Sequence, residues 1–164
     1  MAKAGILPDT EIEVLFERGA LAAALPLDPD QIQPASLDLR LGDVAYRVRA
    51  SFLPGPGYRV GDKLERLKLH EIRLGEGAVL ETGCVYIVPL MESLALPEDV
   101  SASANPKSST GRLDIFTRVM TDRGPEFDKI AAGYRGPLYL EVSPRTFPIV
   151  VRPGSRLSQI RFRR

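Results

Sequence analysis

The chain is expected to fold as an all-β domain, a compact barrel or sandwich, with one short helix at its start. Short segments with period-two apolar alternation recur along it. Fourteen glycines and fourteen prolines supply the turns between them. A length of 164 residues suits a single domain over 1–164, large enough to bury a core without staples.

The elements follow in order. Thr10 and Glu13 make a capping-box pattern, and Ile12, Leu15 and Phe16 then share one helical face, so a helix is expected near residues 10–18. Gly19 is placed to end it. In ASLDLRLG, Leu37, Leu39 and Leu41 point one way while Ser36, Asp38 and Arg40 point the other. Val44, Tyr46 and Val48 repeat the alternation. LPGPGYRVGDK reads as a loop, AVLETGCVYIVPL as one or two buried strands, and RLDIFTRVM as another strand. In GPLYLEVSP, Leu138, Leu140 and Val142 form one face, leaving Tyr139, Glu141 and Ser143 on the other.

Composition narrows the chemistry. With 22 basic and 21 acidic side chains the net charge is +1, which gives no support to a large nucleic-acid footprint. The N-terminus carries no apolar export signal, and no run approaches the ~18 apolar residues of a membrane span, so a cytoplasmic protein is expected. One cysteine, Cys84, excludes an intrachain disulfide and reads as a buried thiol. The single histidine, His70, lies in the charged run LERLKLHEIRLGE and reads as a surface or strand-edge residue. One histidine and one cysteine cannot assemble a His/Cys zinc centre, and no metal-ligating set is expected. No nucleophile elbow, Walker motif or dinucleotide fingerprint is present. Any catalysis must use carboxylates, hydroxyls and cations.

Two places gather such groups. The stretch NPKSSTGRLDIF, from Asn105 to Phe116, is either a solvated turn or a phosphate cradle in which hydroxyls and backbone N–H groups donate while Lys107 and Arg112 supply charge. Glu141 is either a solvent-facing strand residue or a pocket carboxylate able to exchange protons with water. Spacing alone does not choose.

Four motifs in register do choose. QPASLDLRLG, KSSTGRL, GYRGPLYLEV and RPGSRLSQIRF together resemble the dCTP deaminase and dUTPase superfamily, over nearly the whole chain. LPDTEIEVLFERGAL is similar to the opening helix of dCTP deaminases. The resemblance implies a distorted β-barrel of the β-clip, dUTPase-like kind. It also implies a homotrimer with active sites shared between neighbouring subunits, and a C-terminal segment or second domain beyond this stretch. A dUTPase would activate water with an aspartate where DKIAAGYRG carries Ala131, and alanine accepts no proton. The implied activity is therefore hydrolytic deamination of dCTP to dUTP and ammonia. The alternatives are a nucleotide-binding or assembly half-domain without turnover, or a dUTP pyrophosphatase.

By the same resemblance Glu141 is the general base, Ser108 orients water or the ring, and Arg112 steadies charge near Glu141. Lys107 and Ser109 hold phosphates, with Mg²⁺ carried on the triphosphate. Arg123 lies near base and sugar, Thr121 and Tyr134 are substrate-binding, Gln159 is structural, and Asp38 and Arg40 support a subunit interface or the pocket wall. The chain departs from the family in four places. Lys107 replaces an arginine, Asp114 a glycine and Ala131 an aspartate, and about six residues within GPEFDKI are inserted before the GYRG turn.

Overall fold

A computed structural model describes residues 4–164. Among them are thirteen strands and three short helices, arranged as a distorted barrel of two larger sheets and one strand pair. The six-stranded sheet runs β5 (Lys68–Arg73), β4 (Val44–Val48), β7 (Val85–Ala95), β11 (Arg135–Pro144), β9 (Ile115–Thr121), with β1 (Leu21–Ala23) paired to β7. The five-stranded sheet runs β10 (Lys129–Ile130), β8 (Ser101–Pro106), β13 (Arg156–Arg163), β3 (Ser36–Arg40), β2 (Ile32–Gln33). β6 (Ala78–Leu80) and β12 (Ile149–Val151) make the remaining pair. The all-β expectation holds, and AVLETGCVYIVPL resolves into two strands, β6 and β7.

Helix α1 (Asp9–Glu17) starts one residue earlier than the sequence suggests. Its N-cap is Pro8, so Thr10 lies inside the first turn and the expected capping box does not form. Asp9 instead accepts the Thr10 N–H at 2.8 Å. The predicted stop is correct. Gly19 takes φ +76°, its N–H reaches the Phe16 carbonyl, and the Ala20 N–H reaches back to Leu15, as in a Schellman cap. A second helix, α2 (Val60–Leu67), replaces the end of the expected loop. Asp62 accepts the Arg59 N–H at 2.9 Å and starts the helix, while Val60 and Leu64, four apart, supply its buried stripe. Over so short a stretch, glycines and charges mask that signal. A third helix, α3 (Ser108–Arg112), is a single turn built from SSTGR.

Both faces of the six-stranded sheet are covered. On the inner face Leu138, Leu140 and Val142 of β11 are fully buried against residues of the other sheet, such as Leu37, Ile160 and Phe162. On the outer face a smaller cluster of Val48, Val60, Leu64, Ile87 and Met120 packs beneath α2. This outer layer is what the period-two reading of Tyr139, Glu141 and Ser143 lacks. Gly42 sits where β3 crosses β7: its N–H donates to the Pro89 carbonyl at 2.8 Å, and a Cβ there would stand 2.7 Å from the same oxygen. His70 is exposed on the edge strand β5, as expected. Cys84 is half-buried against the core rather than enclosed by it.

β3 holds a second surprise. All five of its residues are buried, so the polar face of SLDLR is not solvated. Arg40 donates to the Leu25 and Pro26 carbonyls, each at 2.9 Å, and its Nε lies 3.6 Å from Glu92 of β7. Glu92 accepts from the Arg40 backbone N–H at 2.7 Å and from Gln31 at 3.0 Å. Burial outweighs these partners and pushes the Glu92 carboxyl up from 4.5 to about 7. A carboxyl raised in this way keeps its proton in the folded state after the unfolded chain has lost it. It therefore costs stability progressively as pH rises from about 4.5 to about 7, and leaves stability unaffected below that window. Urea unfolding at pH 5 and pH 7.5 is expected to show wild type losing on the order of 2–3 kcal/mol more than Glu92→Gln across that interval. Parallel profiles would mean that Glu92 does not titrate there.

Candidate active site

Strand register builds the site. Across the six-stranded sheet, Glu141 of β11 stands beside Ile87 of β7 and Arg118 of β9, and Ile87 stands beside Tyr46 of β4. Glu141 therefore lies on the outer face, but it is only 1% exposed, so it is not the solvent-facing residue that alternation allows. Arg118 donates to its Oε2 from Nε at 2.9 Å, and its Nη2 lies 2.9 Å from the same oxygen in an ion pair. Ser51, from the connection between β4 and α2, donates to Oε1 and accepts from Arg118 Nη2 at 2.7 Å. A buried carboxylate is thus held by a fork and a hydroxyl, as burial of a charge requires.

The connection that carries Ser51 is tied to a second segment. Gly55 donates to the Gly124 carbonyl at 3.3 Å, Arg123 donates to the Tyr58 carbonyl at 2.8 Å, and Val60 donates to Asp122 at 2.8 Å. The connection before α2 is thereby fastened to the turn after β9.

The sequence-predicted residues fall into four groups, the fourth being Lys107 with Asp38. Glu141 stands with Arg118 and Ser51. Thr121, Arg123 and Tyr134 line a cavity of about 590 Å³ with Ala131, Lys129 and Arg163, and Glu141 is not among its lining residues. Tyr134 accepts the Asp122 N–H at 3.0 Å and donates to the Pro137 carbonyl at 2.7 Å, while burial pushes its hydroxyl up to about 12. Ser108, Ser109 and Arg112 are exposed on α3 and make no side-chain hydrogen bond among the described residues. The cation on Glu141 is thus Arg118; the Arg112 placed there by the resemblance lies apart from it in this chain. A second cavity, of about 480 Å³, is bordered by Gly111 of α3 and by Arg118, so α3 and the Glu141 partner share one recess.

Lys107 is bound to Asp38, which also receives Arg156 at 3.4 Å. The other Asp38 oxygen, Oδ1, is buried without a partner. Among the described residues no group of three His, Cys, Asp or Glu side chains converges to hold a metal. Asp38 Oδ1 is enclosed and its other oxygen is held by two cations, so this carboxylate offers no open position to a Mg²⁺ brought by a nucleotide.

The family model described as the 2'-deoxycytidine 5'-triphosphate deaminase N-terminal domain matches residues 3–164. The chain belongs to the dCTP deaminase family. It is 33% identical to a dCTP deaminase of Haloarcula marismortui, over 96% of this chain and 79% of that protein. It is 32% identical to a dUMP-forming dCTP deaminase of Clavibacter michiganensis, over 96% of this chain and 75% of that protein. The crystal structure of the 2'-deoxycytidine 5'-triphosphate deaminase from Agrobacterium tumefaciens superposes with a TM-score of 0.96 at 75% identity, covering 99% of this chain and 48% of that one. The chain thus spans about half the length of the Agrobacterium protein. The native EIAV dUTPase shares the fold at 13% identity, with a TM-score of 0.53, over 88% of this chain and 87% of that chain. The domain accordingly has the β-clip, dUTPase-like fold, and its relatives support dCTP deamination in nucleotide metabolism. No helix among the described residues is long and apolar enough to cross a membrane.

Sequence reasoning does not reach Arg118 or Ser51. Arg118 carries a faint signal, a lone cation between Phe116 and Met120 on one face of β9. Ser51 carries none.

Proposed function

We propose that the protein deaminates dCTP, with Glu141 as the general base. The observation that carries this reading is the Glu141 carboxylate itself, buried on a strand and held by Arg118 and Ser51, in a chain where Ala131 removes the aspartate a pyrophosphatase would use. Water adds to C4 of cytosine and Glu141 takes its proton. The proton passes to ring N3, giving a tetrahedral carbon that bears hydroxyl and amine. The hydroxyl proton then moves by way of Glu141 to the amine, the C4–N bond breaks, and ammonia leaves a uracil carbonyl. Ser51 already donates to Glu141 Oε1 as the attacking water would. Its hydroxyl therefore stands in the water's place until substrate arrives.

Ser108 and Arg112 meet the substrate from α3, and their exposure in one chain accords with sites completed by a neighbouring subunit in a homotrimer. Lys107 keeps two donors besides the one on Asp38 and meets the phosphates together with Ser109. Thr121, Arg123 and Tyr134 line the base and sugar side. Mg²⁺ carried on the triphosphate would offset part of its charge.

Ammonia release from dCTP, with the nucleotide product resolved by its phosphate count, tests the reading. dUTP and ammonia in equal amounts are expected. A dUMP product would assign the chain to the dUMP-forming relatives, and dUTP hydrolysis without ammonia would make it a pyrophosphatase. The half-domain reading draws on the separation of α3 from Glu141. It predicts nucleotide binding without ammonia both in this chain and in a longer protein that contains it.

A further inference from the structure

The segment GPEFDKI, within which the family resemblance implies an insertion of about six residues, lies against the site in the structure. Its Phe127 lies under Arg118, with the guanidinium carbon 3.6 Å from the ring centroid, and Phe116 flanks the same guanidinium at 4.8 Å. The next residue locks the insertion to β9: Asp128 accepts the Val119 N–H through its side chain at 2.8 Å, and its own N–H donates to the Val119 carbonyl at 2.9 Å. The Asp128 carbonyl accepts from Ala104 of β8 at 2.9 Å, and its backbone turns through φ +62°. Phe127 therefore faces Arg118 from a segment fastened at both ends of one residue pair.

We infer that Arg118 is a positioning residue for Glu141 and that the segment carrying Phe127 holds it, with Phe127 as its platform and Ser51 as its second partner. This rests on the deaminase reading given above. A guanidinium over an aromatic face is attracted by the ring quadrupole and loses rotational freedom. Its planar fork then directs Nε to one carboxylate oxygen, Oε2, and Nη2 to Ser51, whose hydroxyl is left to Oε1. The two carboxylate oxygens are thereby made unequal. Oε2 is fixed by the cation, and Oε1, whose only partner among the described residues is an exchangeable hydroxyl, is the oxygen that receives the water's proton. Lysine in place of Arg118 would keep the charge and lose the fork. Leucine in place of Phe127 would keep apolar volume and lose the aromatic face.

The test uses the form of the protein that releases ammonia from dCTP, whether this chain or a longer protein containing it. Arg118→Gln is expected to lower kcat by roughly 10- to 100-fold, the scale on which a misplaced catalytic group loses rate, with KM changed less than about threefold. Arg118→Lys recovers part of that loss. Phe127→Leu lowers kcat by a smaller factor, and the double variant Arg118→Gln/Phe127→Leu is no worse than Arg118→Gln alone, because the ring acts through the guanidinium. Multiplying effects in the double variant would overturn the inference, as would a kcat for Arg118→Gln within twofold of wild type while Glu141→Gln is inactive; either result leaves the deaminase reading standing. An active Glu141→Gln removes that reading and this inference with it. If Arg118→Gln does not fold, the same cycle run with Arg118→Lys decides between coupled and multiplying effects.

Discussion

Glu141→Gln is expected to reduce ammonia release from dCTP at least ~10²-fold, the lower end of what a general base contributes. The amide matches the carboxylate in shape, and its carbonyl oxygen can accept from Arg118 while its NH2 donates to the Ser51 oxygen, so the fold is expected to persist. What it cannot do is take a proton from water at neutral pH. Binding of dCTP is expected to change far less, since Lys107, Ser109 and Mg²⁺ would meet the phosphates unaltered. Arg112 behaves differently in this account: exposed on α3 and free to meet the nucleotide, it serves both charge and geometry, and its loss harms KM and kcat together. Steady-state kinetics with isothermal titration of dCTP separates the two patterns. An Arg112 variant with the kinetic signature of Glu141→Gln would place it at the proton transfer instead.

The largest expected effect on stability comes from Arg40→Leu. The side chain is 3% exposed, bonds two backbone carbonyls, and stands beside a carboxylate that is itself 1% exposed. Removing it leaves those carbonyls without their donor and Glu92 without its cation. Breaking a buried pair from one side costs about 3–5 kcal/mol. The loss should be larger at pH 8, where Glu92 is ionised, than at pH 5, where it carries its proton. Adding Glu92→Gln is expected to recover roughly half of the loss, because no uncompensated charge then remains. Guanidinium unfolding of the three variants at both pH values measures this. A deficit under ~1 kcal/mol for Arg40→Leu, equal at both pH values, would mean that water replaces the guanidinium at no cost.

Much of the fold is written in local pattern. Alternation in GPLYLEVSP fixes which residues of β11 meet the core, and the Gly19 stop follows from a left-handed cap that glycine adopts without strain. What alternation leaves open is whether the opposite face is wet. Here a second layer, α2 with the connection before it, turns a solvent face into a buried one, and only strand register reveals that Glu141 meets Arg118. The candidate site shows the same division. Motif resemblance reaches Glu141, α3 and the hairpin residues, because each sits in a contiguous run. Ser51 is 90 residues from Glu141, and the sheet that joins them through β4, β7 and β11 is non-local. The Arg118 partner is found only when β9 and β11 are set in register. The failed cap at Thr10 has a simpler cause: proline at position 8 starts the helix early, its fixed φ being suited to a helix entrance.

The most direct test is a crystal structure of the Glu141→Gln variant with dCTP and Mg²⁺. The variant holds the substrate without turning it over, so the Michaelis geometry can be observed. The account predicts cytosine C4 and its amine facing residue 141 within about 3–3.5 Å of a bound water, the distance of a reactive arrangement. It also predicts Ser51 moved off Oε1, Arg118 still seated on Phe127, and Ser108 and Arg112 reaching the nucleotide from a neighbouring subunit. Cytosine bound with C4 turned away from residue 141, that residue still closed beneath Ser51 and no water between them, would contradict it.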